Sequence, residues 1–482
     1  MTEAHAPRDL PWFAVEYAAG LLDELRAPAE VRRPALDARH PDLDWAASGA
    51  MALTGFPDGP PLLAPAPLAS AACAAVAALA AVATSEGLPG HERLREIDGG
   101  ALLGERAALS GFSRQGRSSP GGSCHLLRSR DGWIAVNLAR ADDISLLPAW
   151  LGAGDVSDVL AFVNRRARTR DSAELVAAAR ELGLPVAEAA RPLAHPPSWY
   201  RIDVQSAPRR TPRSKRPLVV DLSALWAGPL ATHLLSLAGA RVIKVESTRR
   251  PDGARRGPRA FYDLLNAGKE SVALDFTAND ARRTLAAILE RADIVVEASR
   301  PRALAQLGID AVSLVRSRPG MVWVGITGYG RREPECNRVA FGDDAGAAAG
   351  LAMAMCRDGR GDARLKDGPV FCGDAIADPL TGMHAALAAL CAWQQGGGLL
   401  LDVNLHDVTA HVLGAGRVYC EGRGFSPLTR SYVAAEDDGR WEVVSATGTQ
   451  PVLAPRAREV FQRAEELGAH TRLVLEELDT PC

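Results

Sequence analysis

The second half of the chain alternates short apolar runs with stretches of helical periodicity. Short apolar runs bounded by polar residues or glycine indicate buried strands, and apolar positions three and four apart indicate helices that cover them. The predicted strands are 218–222, 241–246, 271–275, 293–297 and 321–327, and the predicted helices are 228–240 and 279–291. This alternation predicts an α/β fold with a doubly wound, mostly parallel sheet. In such sheets ligands bind beyond the carboxyl ends of the strands.

The first half follows a different pattern. The pair Asp131-Gly132 is a turn signal that leads into a predicted strand, and helical periodicity follows over 146–151 and 172–182. These elements predict a separate small α+β domain. The longest apolar stretch, 62–84, is mostly alanine with prolines near its start, so we interpret its helix, 68–84, as buried and not as a membrane span.

These patterns divide the chain into five parts. The predicted boundaries are a helical segment at 1–105, the small α+β domain at 106–205, a linker at 206–217, a Rossmann-like domain at 218–430 and a closing segment at 431–482. The linker is rich in proline and basic residues and carries no apolar period, which is typical of a solvated tether.

An internal repeat relates the two halves. Residues 48–61, followed by the alanine-rich helix, have a counterpart in 349–369, followed by 381–390. With one gap, Ser70 of the first copy falls opposite Asp378 of the second.

Composition excludes some classes of function. The 482 residues carry 55 Lys plus Arg and 58 Asp plus Glu, a formal net charge of -3, and only 5% aromatic residues. This balance argues against a nucleic-acid binder. The N-terminus has no signal-peptide pattern. The eight cysteines form no CxxC pair, so we expect no zinc site and no disulfide framework. Together these features predict a cytoplasmic protein with no nucleic-acid or membrane partner.

Several stretches together resemble the class III CoA-transferases of the CaiB/BaiF type, a superfamily that includes formyl-CoA transferase and α-methylacyl-CoA racemase. They span most of 217–482 and are 220–246, 262–275, 295–308, 326–330, 373–407 and 466–475. The order of parts is unusual, because a degenerate catalytic-like segment (1–105) and the small domain precede the CoA-binding and catalytic domain. This implies a rearranged or partly duplicated member.

The resemblance implies an acyl-CoA:carboxylate CoA-transferase whose nucleophile is Asp378. In that chemistry the carboxylate attacks a thioester, and an aspartyl anhydride and an aspartyl-CoA thioester follow. Coenzyme A and acyl-CoA are substrates alongside a carboxylic acid, with no permanently bound cofactor and no metal. The family also implies a homodimer. From the residues alone, Asp378 before Pro379 is more typical of a structural helix cap than of a nucleophile. Ser70 cannot form the anhydride, so we expect the first copy to be structural.

The resemblance and the chain pattern together assign candidate CoA contacts. A turn where the first strand of the Rossmann-like domain meets its helix, and a basic loop after the second strand, suit the phosphates of CoA. The candidates are Trp226, Ala227, Gly228, Arg249, Arg250, Arg256, Lys269 and Arg338. A glycine-rich loop at 121–123 is either an ordinary turn or a cover over the site.

Two other functions stay open. A racemase or isomerase of the same family needs a His near 341–344, but only Asp343 and Asp344 occur there, and His384 reads as a core histidine. A non-catalytic acyl-CoA-binding subunit is the other alternative. It is motivated by the rearranged parts and by departures from the family pattern at Ser247, Ala298-Ser299 and Gln306.

Overall fold

The computed structural model describes residues 13–478 apart from 32, 33, 35, 38, 153–156, 210–214, 357–361, 422–430 and 436–439. Residues 210–214 of the predicted linker and 436–439 of the predicted closing segment, together with 1–12 and 479–482, lie outside the described part of the chain.

The N-terminal part is a layer of helices around one long apolar helix. Its helices are α1 (Phe13–Glu24), α2 (Pro41–Ser48), α3 (Leu68–Ser85), α4 (His91–Arg95) and α5 (Glu105–Ser110). By length and composition α3 could cross a bilayer, with a mean hydropathy of 1.9, yet 72% of it is buried inside the structure. It packs against α1 and against a second long helix described below. The predicted buried helix is confirmed.

The small domain joins a three-stranded antiparallel sheet to a cluster of helices. Its elements are β1 (Cys124–Arg128), β2 (Trp133–Asn137), α6 (Ala141–Ser145), α7 (Leu147–Leu151), α8 (Val159–Ala167), α9 (Ser172–Glu181) and β3 (Val186–Glu188). The Asp131-Gly132 turn joins β1 to β2, as predicted, because Arg128 pairs with Trp133 across it. Ile134, Trp150 and Phe162 lie in a separate apolar core.

The largest sheet among the described residues has seven strands. They are β4 (Arg201–Gln205), β5 (Leu218–Leu222), β6 (Arg241–Ser247), β7 (Glu270–Leu274), β8 (Ile294–Glu297), β9 (Val322–Thr327) and β10 (Leu399–Asn404). Their order is β4-β10-β9-β8-β5-β6-β7, and β5 to β10 are parallel. Read from β7 to β10, this is the doubly wound order 3-2-1-4-5-6. The predicted α/β fold is confirmed.

The topology defines a crevice between β5 and β8, because the strand order reverses there. The residues that leave the carboxyl ends of these strands are 223–226 and 298–300. A ligand of the sheet is therefore expected beside these two segments.

The sheet extends beyond the predicted domain boundary. β4 lies inside the predicted small domain, but it pairs antiparallel with β10 at the edge of the large sheet. The described start of the predicted linker also packs against this part of the molecule. Arg209 forms an ion pair with Asp293, 3.0 Å apart, and its backbone N–H donates to the Gly396 carbonyl. Residues 201–209 thus belong structurally to the large sheet.

Helices cover both faces of this sheet. The helices that follow β5 along the chain are α10 (Ala227–Ala238), α11 (Arg259–Asn266), α12 (Asn279–Arg291), α13 (Pro301–Gln306), α14 (Ala311–Ser317), α15 (Gly342–Ala348), α16 (Leu351–Ala354), α17 (Ala377–Gln394) and α18 (Leu405–Glu421). Of these, α15 packs against β2 and β3 of the small sheet, and α16 packs against α15 and α18. The helix α17 packs against α10 and against α3. The approach to α10 is close, because a Cβ on Gly382 would lie 2.6 Å from the Ala227 carbonyl oxygen.

The closing segment contacts both the N-terminal helices and the β7 edge of the large sheet. Its elements are β11 (Tyr432–Ala435), β12 (Trp441–Ser445), β13 (Gly448–Pro451) and α19 (Thr471–Glu477). After β13 the chain crosses the N-terminal helices, where Arg458 forms an ion pair with the buried Glu105, 2.6 Å apart. It then reaches β7, where the His470 N–H donates to the Ser271 carbonyl.

Candidate active site

Asp378 lies in the first turn of α17, three residues after a strained backbone position, Ala375. Ala375 has φ +43°, a left-handed conformation that costs a non-glycine residue on the order of 1 kcal/mol or more. Asp378 is not the N-cap, which is Ile376. Its Oδ2 accepts a hydrogen bond from the Gly342 N–H of α15 at 3.1 Å, and the residue is half-buried. The capping interpretation is therefore wrong, and the carboxylate faces another helix and a partly open space.

Gly342 can make this contact because it has no side chain. A Cβ at this position would lie 2.3 Å from the Ala375 carbonyl oxygen and 2.5 Å from Asp378 Oδ2. Any other residue would push α15 away from the start of α17. The Gly342 N–H therefore lies at hydrogen-bond distance from the candidate nucleophile only while this position is glycine.

Two further carboxylates, Asp343 and Asp374, lie near Asp378, and a third, Asp344, follows Asp343 on α15. Asp374 is fully buried, Asp343 Oδ1 accepts from the Ala375 N–H at 2.9 Å, and Asp344 Oδ1 accepts from the Asn137 amide at 3.1 Å. We call these three residues and Asp378 the acid cluster. Burial raises the pKa of Asp378 to about 7, with Asp343 and Asp374 adding to the rise and Arg106 and the Gly342 N–H opposing it. Burial likewise raises the pKa of Asp343.

Arg106, on α5, is the guanidinium of this cluster. It donates to Asp374 through two bonds, Nε to Oδ2 at 2.7 Å and Nη2 to Oδ1 at 2.5 Å. Its guanidinium carbon lies 5.2 Å from the ring centre of Trp226 and 5.8 Å from that of Phe112. Sequence reasoning missed Arg106, because no motif links it to an aspartate 268 positions further on.

Trp226 brings the predicted CoA turn to the same place. It precedes α10, follows Leu225 at φ +70° and is buried. Because α10 and α17 pack together and Arg106 stacks on Trp226, the turn Trp226-Ala227-Gly228 lies beside the acid cluster. Two candidates that are 152 positions apart in sequence, Trp226 and Asp378, are thus neighbours of one guanidinium.

Four arginines gather at the crevice between β5 and β8. Arg300 and Arg302 follow β8, Arg250 follows β6, and Arg140 approaches them from the small domain while its guanidinium pairs with Asp143. Burial lowers the pKa of Arg300, and the positive charges of Arg302, Arg140 and Arg250 lower it further. Such mutual repulsion is relieved by a bound anion. Only Arg250 of these four was among the sequence candidates.

Of the other basic candidates, Arg249 and Arg338 pair with carboxylates of the protein, and the structure describes no partner for Arg256. Arg249 is exposed and pairs with Asp275 at 3.1 Å, and Arg256 is exposed. Arg338 stacks on Tyr329, with its guanidinium carbon 3.4 Å from the ring centre, and pairs with Glu335. Their contacts with CoA stay predictions.

Lys269 is in the interior of the domain. Its ammonium group lies within hydrogen-bond distance of four oxygens, those of Asp221, Thr232, Asn266 and the Pro229 carbonyl, at 2.8–3.0 Å. It is 3% exposed. A structural role accounts for all of these contacts, so the predicted contact with CoA has no support in this arrangement.

The glycine-rich loop lies near Arg106, and His384 lies in the core. A Cβ on Gly121 would lie 3.2 Å from Arg106 Nη2 and 3.7 Å from Asp374 Oδ1, so the loop covers the acid cluster. His384 is buried, with Nε2 2.9 Å from the Tyr17 hydroxyl and Nδ1 2.7 Å from the Leu380 carbonyl. The interpretation of His384 as a satisfied core histidine is confirmed.

The first copy has a different arrangement. Ser70 lies in the first turn of α3, is fully buried, and donates to Asp44 Oδ2 at 2.5 Å. The segment after β13 covers this region, because a Cβ on Gly49 would lie 2.6 Å from the Cα of Pro455. These contacts agree with the expectation that the first copy is structural.

Asp344 supplies a prediction about stability and pH. Burial raises its pKa from 3.8 to about 8. A carboxyl that holds its proton more tightly when folded stabilises the fold at low pH, and this contribution is lost as pH rises through the folded pKa. The loss takes place between the unfolded pKa of 3.8 and the folded pKa of about 8. Asparagine at this position has no such loss, so the unfolding free energy of Asp344→Asn relative to wild type should rise by about 1.4 kcal/mol per pH unit over this range.

Denaturant unfolding from pH 5 to pH 9 measures this gain. Asp280→Asn, at an exposed position of α12, is the matched control and should leave the slope unchanged. Parallel curves for wild type and Asp344→Asn would contradict the assignment of a buried, protonated Asp344.

Comparison with known proteins identifies the family. The model of CoA-transferase family III matches residues 29–184 and 217–436. The chain is 30% identical to the succinate–glutarate CoA-transferase of Agrobacterium fabrum over 43% of this chain and 54% of that protein. It is also 30% identical to the human succinyl-CoA:glutarate CoA-transferase, over 39% of this chain and 44% of that one. The chain thus matches about half the length of these curated relatives.

A solved structure is also similar. A CaiB/BaiF family protein from Brucella suis matches 55% of this chain and 98% of its own length, with 20% identity and a TM-score of 0.44. The family assignment rests on the family model, which covers both the N-terminal and the central parts of the sequence. By that match, the chain belongs to CoA-transferase family III.

Proposed function

We propose that this protein is an acyl-CoA:carboxylate CoA-transferase with its active site at Asp378. The observation that carries the proposal is the half-buried Asp378 carboxylate, which lies in the first turn of α17 beside the Trp226 turn of the sheet crevice. Arg250, Arg300 and Arg302 supply positive charge for the phosphates of CoA, whereas the charge of Arg140 is paired with Asp143. The curated relatives, which are named as CoA-transferases, support the same reaction.

The reaction needs only the carboxylate, the thioester and a free acid. An Asp378 oxygen attacks the thioester carbon, the C–S bond breaks, and CoA leaves as a thiolate. The acyl group stays on Asp378 as a mixed anhydride. The thiolate then attacks the aspartyl carbonyl, which forms an aspartyl-CoA thioester and releases the first acid. The acceptor carboxylate attacks this thioester, and the thiolate finally attacks the acceptor carbonyl of the new anhydride. Asp378 is thereby restored as a carboxylate.

Gly342 has a role in the steps at the aspartyl carbonyl. Its N–H lies 3.1 Å from Asp378 Oδ2. When a thiolate or an acid adds to the aspartyl carbonyl, this oxygen gains negative charge. A backbone N–H held in that position stabilises the charge without reorganisation.

Mass spectrometry tests the proposal. Purified protein is incubated with a panel of acyl-CoAs and free acids, and the products are weighed. Exchange of CoA between an acyl group and an acid is expected for wild type and not for Asp378→Asn. Tight CoA binding without exchange would instead favour the non-catalytic subunit.

A racemase or isomerase acting beside a thioester is the second candidate, because Asp343 lies next to Asp378 as a second carboxylate of raised pKa. Incorporation of deuterium at the α-carbon of an acyl-CoA in deuterated water, with no acceptor acid present, distinguishes this reaction. The homodimer and the cytoplasmic location stay predictions.

The arginines at the crevice make a prediction about CoA affinity. Arg300→Ala and Arg250→Ala should each raise the dissociation constant of CoA by about 10-fold or more, because a charge-assisted bond to phosphate contributes about 1.5–3 kcal/mol. The affinity should also depend less on salt in these variants. Isothermal titration measures both effects. Arg283→Ala, on α12, is the control. Unchanged affinity in both crevice variants would place the CoA phosphates elsewhere.

A further inference from the structure

Arg106 is on α5, in the N-terminal part of the chain, but its guanidinium contacts the acid cluster in the C-terminal part. We propose that Arg106 is a positioning residue of the Asp378 site: it holds Asp374 in place and keeps the Asp378 carboxylate charged for attack. This inference rests on the proposed function, because it assigns Arg106 to the same nucleophile.

The guanidinium is held on several sides. Two parallel bonds fix it to Asp374, and the rings of Trp226 and Phe112 lie over it. The glycine-rich loop is also close, because a Cβ on Gly121 would lie 3.2 Å from Nη2. A planar group with five donors suits this arrangement, and a lysine ammonium would make neither the paired bonds nor the same stacking.

The cluster otherwise favours protonation of Asp378. Burial, Asp343 and Asp374 all raise the pKa of Asp378, and the groups that lower it are Arg106 and the Gly342 N–H. A protonated carboxyl is a poor nucleophile. Arg106 is thus the charged group that opposes the two neighbouring aspartates.

The position of Arg106 also couples two parts of the proposed site. It stacks on Trp226, in the predicted CoA turn, and pairs with Asp374, four residues before Asp378. The helix α5 that carries it is in turn tied to the closing segment by Glu105 and Arg458. The N-terminal part therefore supplies a group that the C-terminal part needs for its chemistry.

Substitutions of opposite sign test the proposal. Arg106→Gln removes the positive charge, so the pH at which the acylation rate is half-maximal should rise by about one unit. At about pH 6 the variant should be roughly tenfold slower than wild type, and the rates should converge at high pH. Asp374→Asn removes a negative charge and keeps an acceptor for Arg106, so its half-maximal pH should fall. Arg106→Lys should lie between wild type and Arg106→Gln.

The measurement is single-turnover acylation followed by hydroxylamine trapping at each pH. Arg114→Gln is the matched control, because Arg114 lies in the same part of the chain and donates to the backbone carbonyls of Phe56, Ala52 and Gly59. A merely structural role would lower the rate equally at every pH. The same half-maximal pH in wild type, Arg106→Gln and Asp374→Asn would overturn the proposal.

A second readout does not depend on the reaction. The pH dependence of the stability difference between wild type and Asp378→Asn reports the protonation of Asp378. Repeated in the Asp374→Asn background, its midpoint should move down, and in the Arg106→Gln background it should move up. If wild type forms no acyl adduct but these midpoints shift, the proposed function fails and the electrostatic role of Arg106 stands. Unshifted midpoints overturn that role, whatever the enzyme does.

Discussion

The variant Asp378→Ala is expected to bind CoA as wild type does and to lose CoA transfer by about four orders of magnitude or more. The carboxylate is the group that becomes acylated in the proposed reaction, and no other side chain replaces it in the first turn of α17. The charges that attract the phosphates of CoA lie at the crevice between β5 and β8, so affinity should survive. Steady-state transfer and CoA titration measure the two properties separately.

The first copy supplies the control for this experiment. Ser70→Ala changes the residue that falls opposite Asp378 in the repeat, and Ser70 is buried against Asp44. Its transfer rate should stay close to that of wild type. Transfer retained by Asp378→Ala but lost by Ser70→Ala would move the active site to the N-terminal part.

The variant Asp221→Ala is expected to lose about 3–5 kcal/mol of unfolding free energy, because it leaves the buried ammonium group of Lys269 without a counter-charge, while Lys244 keeps Asp252 at 3.1 Å. Asp221 is fully buried on β5, with Lys269 at 3.0 Å and Lys244 at 4.0 Å. Burial alone would raise the pKa of Asp221, but the two lysines and the hydroxyls of Ser223 and Thr232 hold it well below the usual range. The carboxylate is therefore charged at the centre of the sheet.

Denaturant unfolding of Asp221→Ala measures the loss. Asp275→Ala is the matched control, because Asp275 pairs with Arg249 at an exposed position. Exposed ion pairs contribute about 1 kcal/mol or less, so this control should be nearly neutral. Equal losses in the two variants would show that the buried network has no special role.

The elements of the large sheet could be predicted from sequence because each depends on local patterns. Residues 218–222 and 279–291 are a strand and a helix in the structure with those bounds. The pairing of β4 with β10 could not be predicted, since nearly two hundred residues separate the strands. The run 201–205 alternates polar and apolar residues, which indicates a strand, but this pattern does not show which distant strand it pairs with.

The candidate site could be predicted only in part for the same reason. Asp378 and Trp226 belong to sequence motifs, whereas Arg106 and the crevice arginines Arg300 and Arg140 are defined by contacts between distant segments. Sequence shows the charge of a residue but not its burial. Lys269 illustrates this limit, because its position near the basic loop after the second predicted strand suggested a ligand and its four oxygen partners show a core residue.

The internal repeat acquires a physical meaning in the structure. The two alanine-rich helices, α3 and α17, pack against each other, and small residues allow this close approach. Only the second helix carries an acid in its first turn. The chain that follows the first copy contributes part of the surroundings of that acid, through Arg106 of α5 and the glycine-rich loop.

Peptide mapping after brief incubation with an acyl-CoA tests the central claim most directly. Hydroxylamine converts an aspartyl anhydride or thioester into a hydroxamate, which marks the acylated residue. We predict that the mark lies on Asp378, grows with time of incubation and is absent when CoA replaces acyl-CoA. A mark on another residue, or turnover with no mark on any residue, would contradict the account.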